Sequence, residues 1–499
     1  MPLRPNPCRS PQLQQAMRPT RRRPENATRV CETRLKTFAL AMCACGWLGL
    51  TACGADPKPP TSIGDAALID TTQDAGVTID GGADEASQTL ALSCPVEAQL
   101  SHDLEHLDLA LDIGDSAGLA KWRVAPVKAD ALVSFEVAGL NDVAVTSGQP
   151  WVVCADLLHV QLSASEASTQ VMIQYKFTRQ ESMTGLMTAG SSVTWPTHCD
   201  NLFPCHSAPA EGFSYALKVT GAPAGDVVVH PVKVDQQVPS YAVALAHGAY
   251  SYHVVGKTES GLELGVWLKP GQLSKDAKHD VSALALWPKA VSWLEATLGP
   301  YPLGKKLAAV TVPWGPFAYG GLEMHPIYHM SDLAIGDLAV HCHEAAHGWF
   351  GNGVRIACWE DLVLSEGVAD YLMVRAMAAA KGVQVMKPMF EAMEKSVASK
   401  AGTSKDVVVL QETCNEIDVE ASGVSAKITY HKGALFLRAV AEQVGFEKLD
   451  AALGKFVQEH VGTAQRMTAL LEVIQTHTGF DPKPLAEQWL RSKGNPLAP

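Results

Sequence analysis

The hydrophobic pattern changes its period part-way along the chain, and this change limits the folds open to it. From about residue 92 to 255, apolar residues alternate in short runs broken by turns. Examples are Ala131 to Val137, Gln170 to Phe177 and Asp226 to His230. Period two with β-branched residues predicts strands, and many short strands predict a β-sandwich or saddle-shaped β-domain. From about residue 285 the spacing becomes three to four. Helices are expected over Trp287 to Leu298, Asp332 to Phe350, Glu366 to Ala380, Lys432 to Val444 and Thr463 to Gln475. Strand runs followed by helical runs predict a multidomain β + α/β chain, with a β-domain over 92–255 and a mainly helical domain over 256–499. At 499 residues the chain is too long for one ordinary core. No repeat with a period of about 20–50 residues is visible, so solenoids and propellers are not indicated.

Charge is distributed unevenly. Residues 1–36 carry nine Lys/Arg and two Asp/Glu, and residues 37–53 carry none. The whole chain has a formal net charge of −12, whereas the part after residue 53 has 31 basic and 50 acidic residues, a net of −19. A body of that charge repels phosphate backbones, which argues against nucleic acid as a partner. A hydrophobic content of 47% belongs to a folded protein, not a disordered one.

The uncharged run Thr37 to Cys53 follows Arg34 and Lys36. It is shorter than the roughly 20 apolar residues of a bilayer span, and it has the plan of a secretory signal. It ends Leu50-Thr51-Ala52-Cys53-Gly54, which resembles a bacterial lipoprotein lipobox. That resemblance implies a signal over 1–53, lipidation of Cys53, and an exported protein anchored to a membrane, periplasmic or on the cell surface. A plain secreted protein and an N-terminal anchor helix are the alternatives, and Met17 is an alternative start. Residues 54–91 are acidic, contain Pro59-Pro60 and lack apolar periodicity, so a flexible tether is expected there.

Export permits disulfides. Seven cysteines follow Cys53, an odd number. Cys342 is the candidate free thiol, because it lies inside an expected buried helix. Cys199–Cys205 pair on proximity, and Cys94–Cys154 and Cys358–Cys414 are the remaining pairs considered. The flanking His198 and His206 suggest a second metal site as the alternative to the small disulfide loop.

The chemistry concentrates in His343-Glu344-Ala345-Ala346-His347. Residues i and i+4 share a helix face, so both imidazoles can reach one metal ion, with Glu344 beside them to poise a water. A catalytic zinc site needs a third protein ligand and an open position. Glu366, in Leu364-Ser365-Glu366-Gly367, supplies a candidate, and it is expected to open a partner helix.

These motifs resemble the zinc aminopeptidases of the aminopeptidase N and leukotriene hydrolase type. Gly320-Gly321-Leu322-Glu323 is similar to the family's exopeptidase motif. Trp349, Gly351, Asn352, Val354, Trp359 and Asp361 match the stretch between the metal ligands. Tyr430, in Tyr430-His431-Lys432-Gly433, matches the catalytic tyrosine. Phe203-Pro204-Cys205 resembles a β-domain landmark, and Gln488 to Arg491 with Gly494 resemble the end of the catalytic domain. The likeness covers roughly residues 90–499. It implies a thermolysin-like catalytic domain with one zinc ion held by His343, His347 and Glu366. Glu344 would be the general base, Tyr430 the oxyanion donor, and Glu323, with Gly320 and Gly321, the grip on a free α-ammonium. By similarity to thermolysin-like proteases, Asp370 would orient a zinc-bound His. The implied partners are peptides with a free N-terminus.

Three departures bear on specificity. Leu322 and Met324-His325-Pro326 replace the usual neighbours of Glu323. No second amine-binding residue aligns in the β-domain. The sequence ends where the catalytic domain ends, without the large C-terminal helical domain of many members, so a more open cleft is expected. An endopeptidase or an epoxide hydrolase on the same zinc site is therefore an alternative. A non-enzymatic peptide-binding lipoprotein is another. His325 and His329 lie near the pocket, as substrate contacts or as wall, and His341 falls on the wrong side of the helix to share the metal.

Overall fold

The computed structural model describes residues 92–95, 102–272, 281–315 and 320–496. The signal over 1–53 with Cys53, and the tether over 54–91, lie outside the described residues. Among the described residues no helix is long and apolar enough to cross a membrane.

The first half is β-rich. A six-stranded sheet runs in the order Lys233–Val238, Phe213–Thr220, Leu104–Asp112, Ala117–Val124, Thr169–Phe177 and Leu140–Val145. Only the central pairing of Leu104–Asp112 with Phe213–Thr220 is parallel. A three-stranded sheet runs Ala131–Glu136, Leu157–Leu162 and Trp151–Cys154. Alternation does what period two predicts: Leu107, Leu109 and Leu111 are buried while Asp108 and Ala110 face outward. The sheets meet through aromatic rings, with Trp122 4.7 Å from Phe213 and 6.1 Å from Phe135. Trp122 Nε1 donates to the Pro204 carbonyl at 2.9 Å, which ties the Phe203-Pro204-Cys205 segment to this core. Disulfides Cys94–Cys154 and Cys199–Cys205 staple the region, and Cys358–Cys414 staples the helical half. Cys342 is free and buried, as expected from its helix.

A five-stranded mixed sheet joins the halves, in the order Ser251–Lys257, Glu263–Leu268, Lys306–Val312, Ile327–Ser331 and Gly321–Leu322. Lys306–Val312 is parallel to both neighbours and buried from its second residue onward. A strand covered on both faces needs no polar alternation, so periodicity alone does not reveal it. The helices are α1 (Trp287–Leu298), α2 (Leu338–Ala346), α3 (Leu362–Lys381), α4 (Met386–Lys400), α5 (Lys427–Val444), α6 (Phe446–His460), α7 (Met467–Thr478) and α8 (Lys483–Trp489).

The helix expected over Asp332 to Phe350 is shorter, because Asp337 caps it and His347 closes it. The one expected to open at Glu366 begins four residues earlier, at Leu362. Leu362, Val363 and Leu364 are all buried, so they show no amphipathic spacing, and Glu366 is the fifth residue of α3. Lys432 to Val444 is preceded by five further helical residues, from Lys427.

Candidate metal centre and active site

His343 and His347 sit one helical turn apart at the end of α2. The Asp337 carboxylate accepts the Ala339 N–H at 2.9 Å and fixes where that helix starts. His343 Nδ1 lies 2.9 Å from Asp370 Oδ1, and His347 Nδ1 lies 3.0 Å from the Phe350 carbonyl and 3.1 Å from Ser365 Oγ. With Nδ1 so engaged, each ring turns Nε2 inward. The two Nε2 atoms are 3.1 Å apart, and Glu366 Oε2 stands 3.3 and 3.4 Å from them. Gly351, at φ +109°, is what lets the chain pass here: a Cβ would lie 2.5 Å from Ser365 Oγ and 3.1 Å from His347 Nδ1.

These three atoms fit a metal ion. Two donors bound at about 2.1 Å with a tetrahedral angle between them stand about 3.4 Å apart. Glu366 Oε2 is buried without a well-aligned hydrogen bond, although both imidazoles are close. Its lone pairs and theirs converge on a common centre rather than on one another. Charge agrees. Burial opposes a charged His343, but the Asp370 and Glu366 carboxylates beside it outweigh that and hold its pKa well above the ordinary value. Burial likewise opposes ionised Glu366, yet His347 and His343 pull it down to about 2. The pocket is built to hold positive charge among carboxylates.

Glu344 follows His343 and faces the same space, which Gly321 leaves open: a Cβ there would lie 2.6 Å from Glu344 Cδ. Burial pushes the Glu344 carboxyl up to about 8, against the two histidines and together with Glu323 and Glu366. Glu323, Glu344 and His347 bring ligand-type atoms within 4.8 Å of one another. Glu323 is 3% exposed, and burial raises its pKa. Its backbone is pinned by Asn352 Nδ2, which donates to the Glu323 carbonyl at 2.6 Å. Gly321 and Leu322 form an edge strand beside Met330 and His329.

Tyr430 arrives on α5. That helix approaches α3 glycine to glycine, since a Cβ on Gly433 would lie 2.5 Å from Gly367 Cα. The close approach stacks Tyr430 on His343, with centroids 5.7 Å apart and planes 13° off parallel. Burial first, then the surrounding carboxylates, raise its phenol pKa well above the ordinary value, so it remains a donor.

A cavity of about 600 Å³ brings these groups together. Gly320, Gly321, Glu323, His343, Glu344, Glu366, Asp370 and Tyr430 all line it. His347 is 1% exposed behind them. Met183, Trp195, Leu322, Ala339, Val340 and Met373 supply apolar wall. His325 and His329 do not line it. His325 Nε2 lies 2.7 Å from the Glu344 carbonyl and Nδ1 2.7 Å from Tyr301 Oη, and burial lowers its pKa to about 3. It is a neutral brace for α2. His341 is bonded to Tyr328 and the Ile335 carbonyl, away from the metal position. The His198-Cys199 and Cys205-His206 pairs form the disulfide loop, with His206 Nε2 2.6 Å from the Ser134 carbonyl.

Several contributors escape sequence reasoning. Ser365 orients His347, and its only signal is its place next to a ligand. Met183 and Trp195 reach the cavity from the β-rich half, and nothing local marks them. Asn352 is legible as a match but not as the residue that positions Glu323.

Comparison with known proteins agrees with this geometry. Residues 300–489 match the peptidase family M1 domain. The chain carries an M1 peptidase domain. The match is to the family type that the motifs of the chain resemble. The chain is 25% identical over 328 residues to aminopeptidase M1-B of Oryza sativa subsp. japonica, covering 59% of this chain and 36% of that one. Glutamyl aminopeptidase of Bos taurus is 22% identical over 334 residues, covering 60% and 34%. The chain spans about a third of the length of these curated relatives. An M1 zinc metallopeptidase from Deinococcus radiodurans bound to a Tyr-Ser-Ala substrate has the same fold, with a TM-score of 0.65 and 19% identity. The match covers 80% of this chain and 96% of that one. Legionella pneumophila aminopeptidase A, in complex with aspartic acid, matches at TM-score 0.66 and 17% identity, covering 80% and 50%.

Proposed function

We propose that the protein is a zinc-dependent aminopeptidase that hydrolyses N-terminal residues from peptides. The observation that carries this reading is the convergence of His343, His347 and Glu366 on one centre, with Glu344 and Glu323 on the same cavity. His343, His347 and Glu366 hold the zinc. When bound, zinc supplies Lewis acidity and a nucleophilic water at neutral pH. The positive charge of a bound ion would draw the Glu344 carboxyl down from the value that burial gives it, and Glu344 then accepts the proton of the attacking water and delivers it to the leaving amine as the C–N bond breaks. Tyr430 donates its hydroxyl hydrogen to the carbonyl oxygen as negative charge develops there. Glu323 pairs with the α-ammonium and so sets the scissile bond one residue from the N-terminus. Asp370 and the Phe350 carbonyl keep the imidazole tautomers that present Nε2.

The finer reading is a thermolysin-like catalytic domain over 256–499 behind a β-domain over 92–255. The lipobox-like end at Cys53 supports an exported, membrane-anchored lipoprotein, and the acidic stretch after it supports a spacer. The test of the activity is a fluorogenic amino-acyl amide panel, run with and without a chelator. Hydrolysis that stops with chelation and returns with zinc is expected. Hydrolysis indifferent to chelation would remove the metal from the account.

A further inference from the structure

A second cavity, of about 410 Å³, lies beside the first, and Ala426 and Lys427 line both. Its wall carries Lys400, Lys405 and Lys427 and, among the described residues, no Asp or Glu. Lys400 Nζ donates to Ser396 Oγ at 2.8 Å, and among the described residues none of the three lysines forms an ion pair. Nearby acids are engaged elsewhere. Asp406 accepts the Gly402 and Gly494 N–H groups and faces Lys432 at 3.6 Å. Glu420 faces His198 at 3.1 Å, and Asp418 accepts the Glu420 and Ala421 N–H groups. Burial, then repulsion from Lys427 and Lys405, lowers the Lys400 pKa. Three lysines around one hollow with no acid on its wall make a locally positive surface in a chain of net charge −12, which suits an anion.

Their position says which anion. Lys427 stands three residues before Tyr430 on α5, so the two share a helix face roughly 5 Å apart. An extended peptide advances about 3.3 Å per residue. A carboxylate one or two residues beyond a bond held at Tyr430 therefore comes within reach of the lysines. We propose that this lysine-lined cavity binds the C-terminal carboxylate of a short peptide, making the enzyme selective for di- and tripeptides with both ends free. The inference rests on the aminopeptidase reading: Glu323 holds one end of the substrate, and the lysines gauge the distance to the other.

The test uses the metal-loaded full chain and an unblocked tripeptide, supplied as free acid and as C-terminal amide. The readout is the ratio of kcat/KM for acid over amide in the wild type, Lys405→Ala and Lys427→Ala. Both lysines are exposed, and the metal content of each variant reports an intact site. We expect a wild-type ratio of about ten, the worth of one charge-assisted contact, falling several-fold in each variant. A wild-type ratio near one, with both peptides cleaved, overturns the inference and leaves the aminopeptidase reading standing. A high ratio undiminished in both variants also overturns it. Cleavage of neither peptide sinks the aminopeptidase reading, and the inference with it.

Discussion

At the scale of single residues, the proposed function separates groups that would hold the metal from groups that would react. His343, His347 and Glu366 are fixed by Asp370, the Phe350 carbonyl and one another, whereas Glu344 has no such tether among the described residues and sits in space left by Gly321. Glu344→Gln keeps the shape and removes the base. It is expected to retain zinc and lose turnover by about 10²- to 10⁴-fold. Metal content and kcat measured on the same preparation check this, because an inactive, metal-free variant would mean a broken site instead. Glu323→Ala is expected to raise KM strongly for substrates with a free α-ammonium. Unchanged kinetics would remove Glu323 from the amine site. The HExxH pair and Glu366 were legible in the sequence because their chemistry and spacing are local signals, whereas Tyr430 and Glu323 were legible only through the resemblance of their motifs to the family. Ser365, Met183 and Trp195 were not, since only folding brings them to the cavity.

At the scale of elements, the site depends on how closely α3 and α5 pack. Gly367 and Gly433 touch backbone to backbone, and that contact delivers Tyr430 to His343. Gly433→Ala must push the helices apart, with an overpacking cost of about 1–3 kcal/mol. It is expected to lower both the urea midpoint and kcat. A variant as stable and as active as the wild type would show that the helices can separate without cost. A second brace lies farther along α3. Arg375 Nη2 meets Asp450 Oδ2 at 2.6 Å, and Tyr371 donates to the same carboxylate at 3.0 Å. Asp450→Ala strands a buried guanidinium and is expected to cost about 3 kcal/mol in urea denaturation. The α3 start was misplaced from sequence because its first residues are buried on every side. The strand Lys306–Val312 escaped for the same reason. Amphipathic spacing reports an exposed face, and these segments have none.

At the scale of the whole molecule, long-range ties hold distant segments of the helical half beside the site. Glu360 accepts N–H groups from Asn415, Glu416 and Ile417 at 3.1, 2.8 and 3.2 Å, next to the Cys358–Cys414 disulfide. Burial opposes its charge, but those donors prevail and hold its carboxyl below the usual range. Its contribution is therefore present above the unfolded carboxylate pKa, about 4.3, and is lost as pH falls through the lower folded value. The stability gap between wild type and Glu360→Gln should narrow as pH drops from about 5 to about 3. A gap independent of pH would contradict that assignment. The division into a β-rich half and a helical half was readable from the change of period, while the mixed sheet between them was not. The central claim, that Glu323 and the metal centre act on the same N-terminal residue, is tested most directly by one comparison. It is the kcat/KM of a peptide with a free N-terminus against that of its N-acetylated twin, on zinc-loaded protein. The account predicts cleavage of the first residue from the free peptide and none, or nearly none, from the acetylated one. Equal cleavage of both would contradict it.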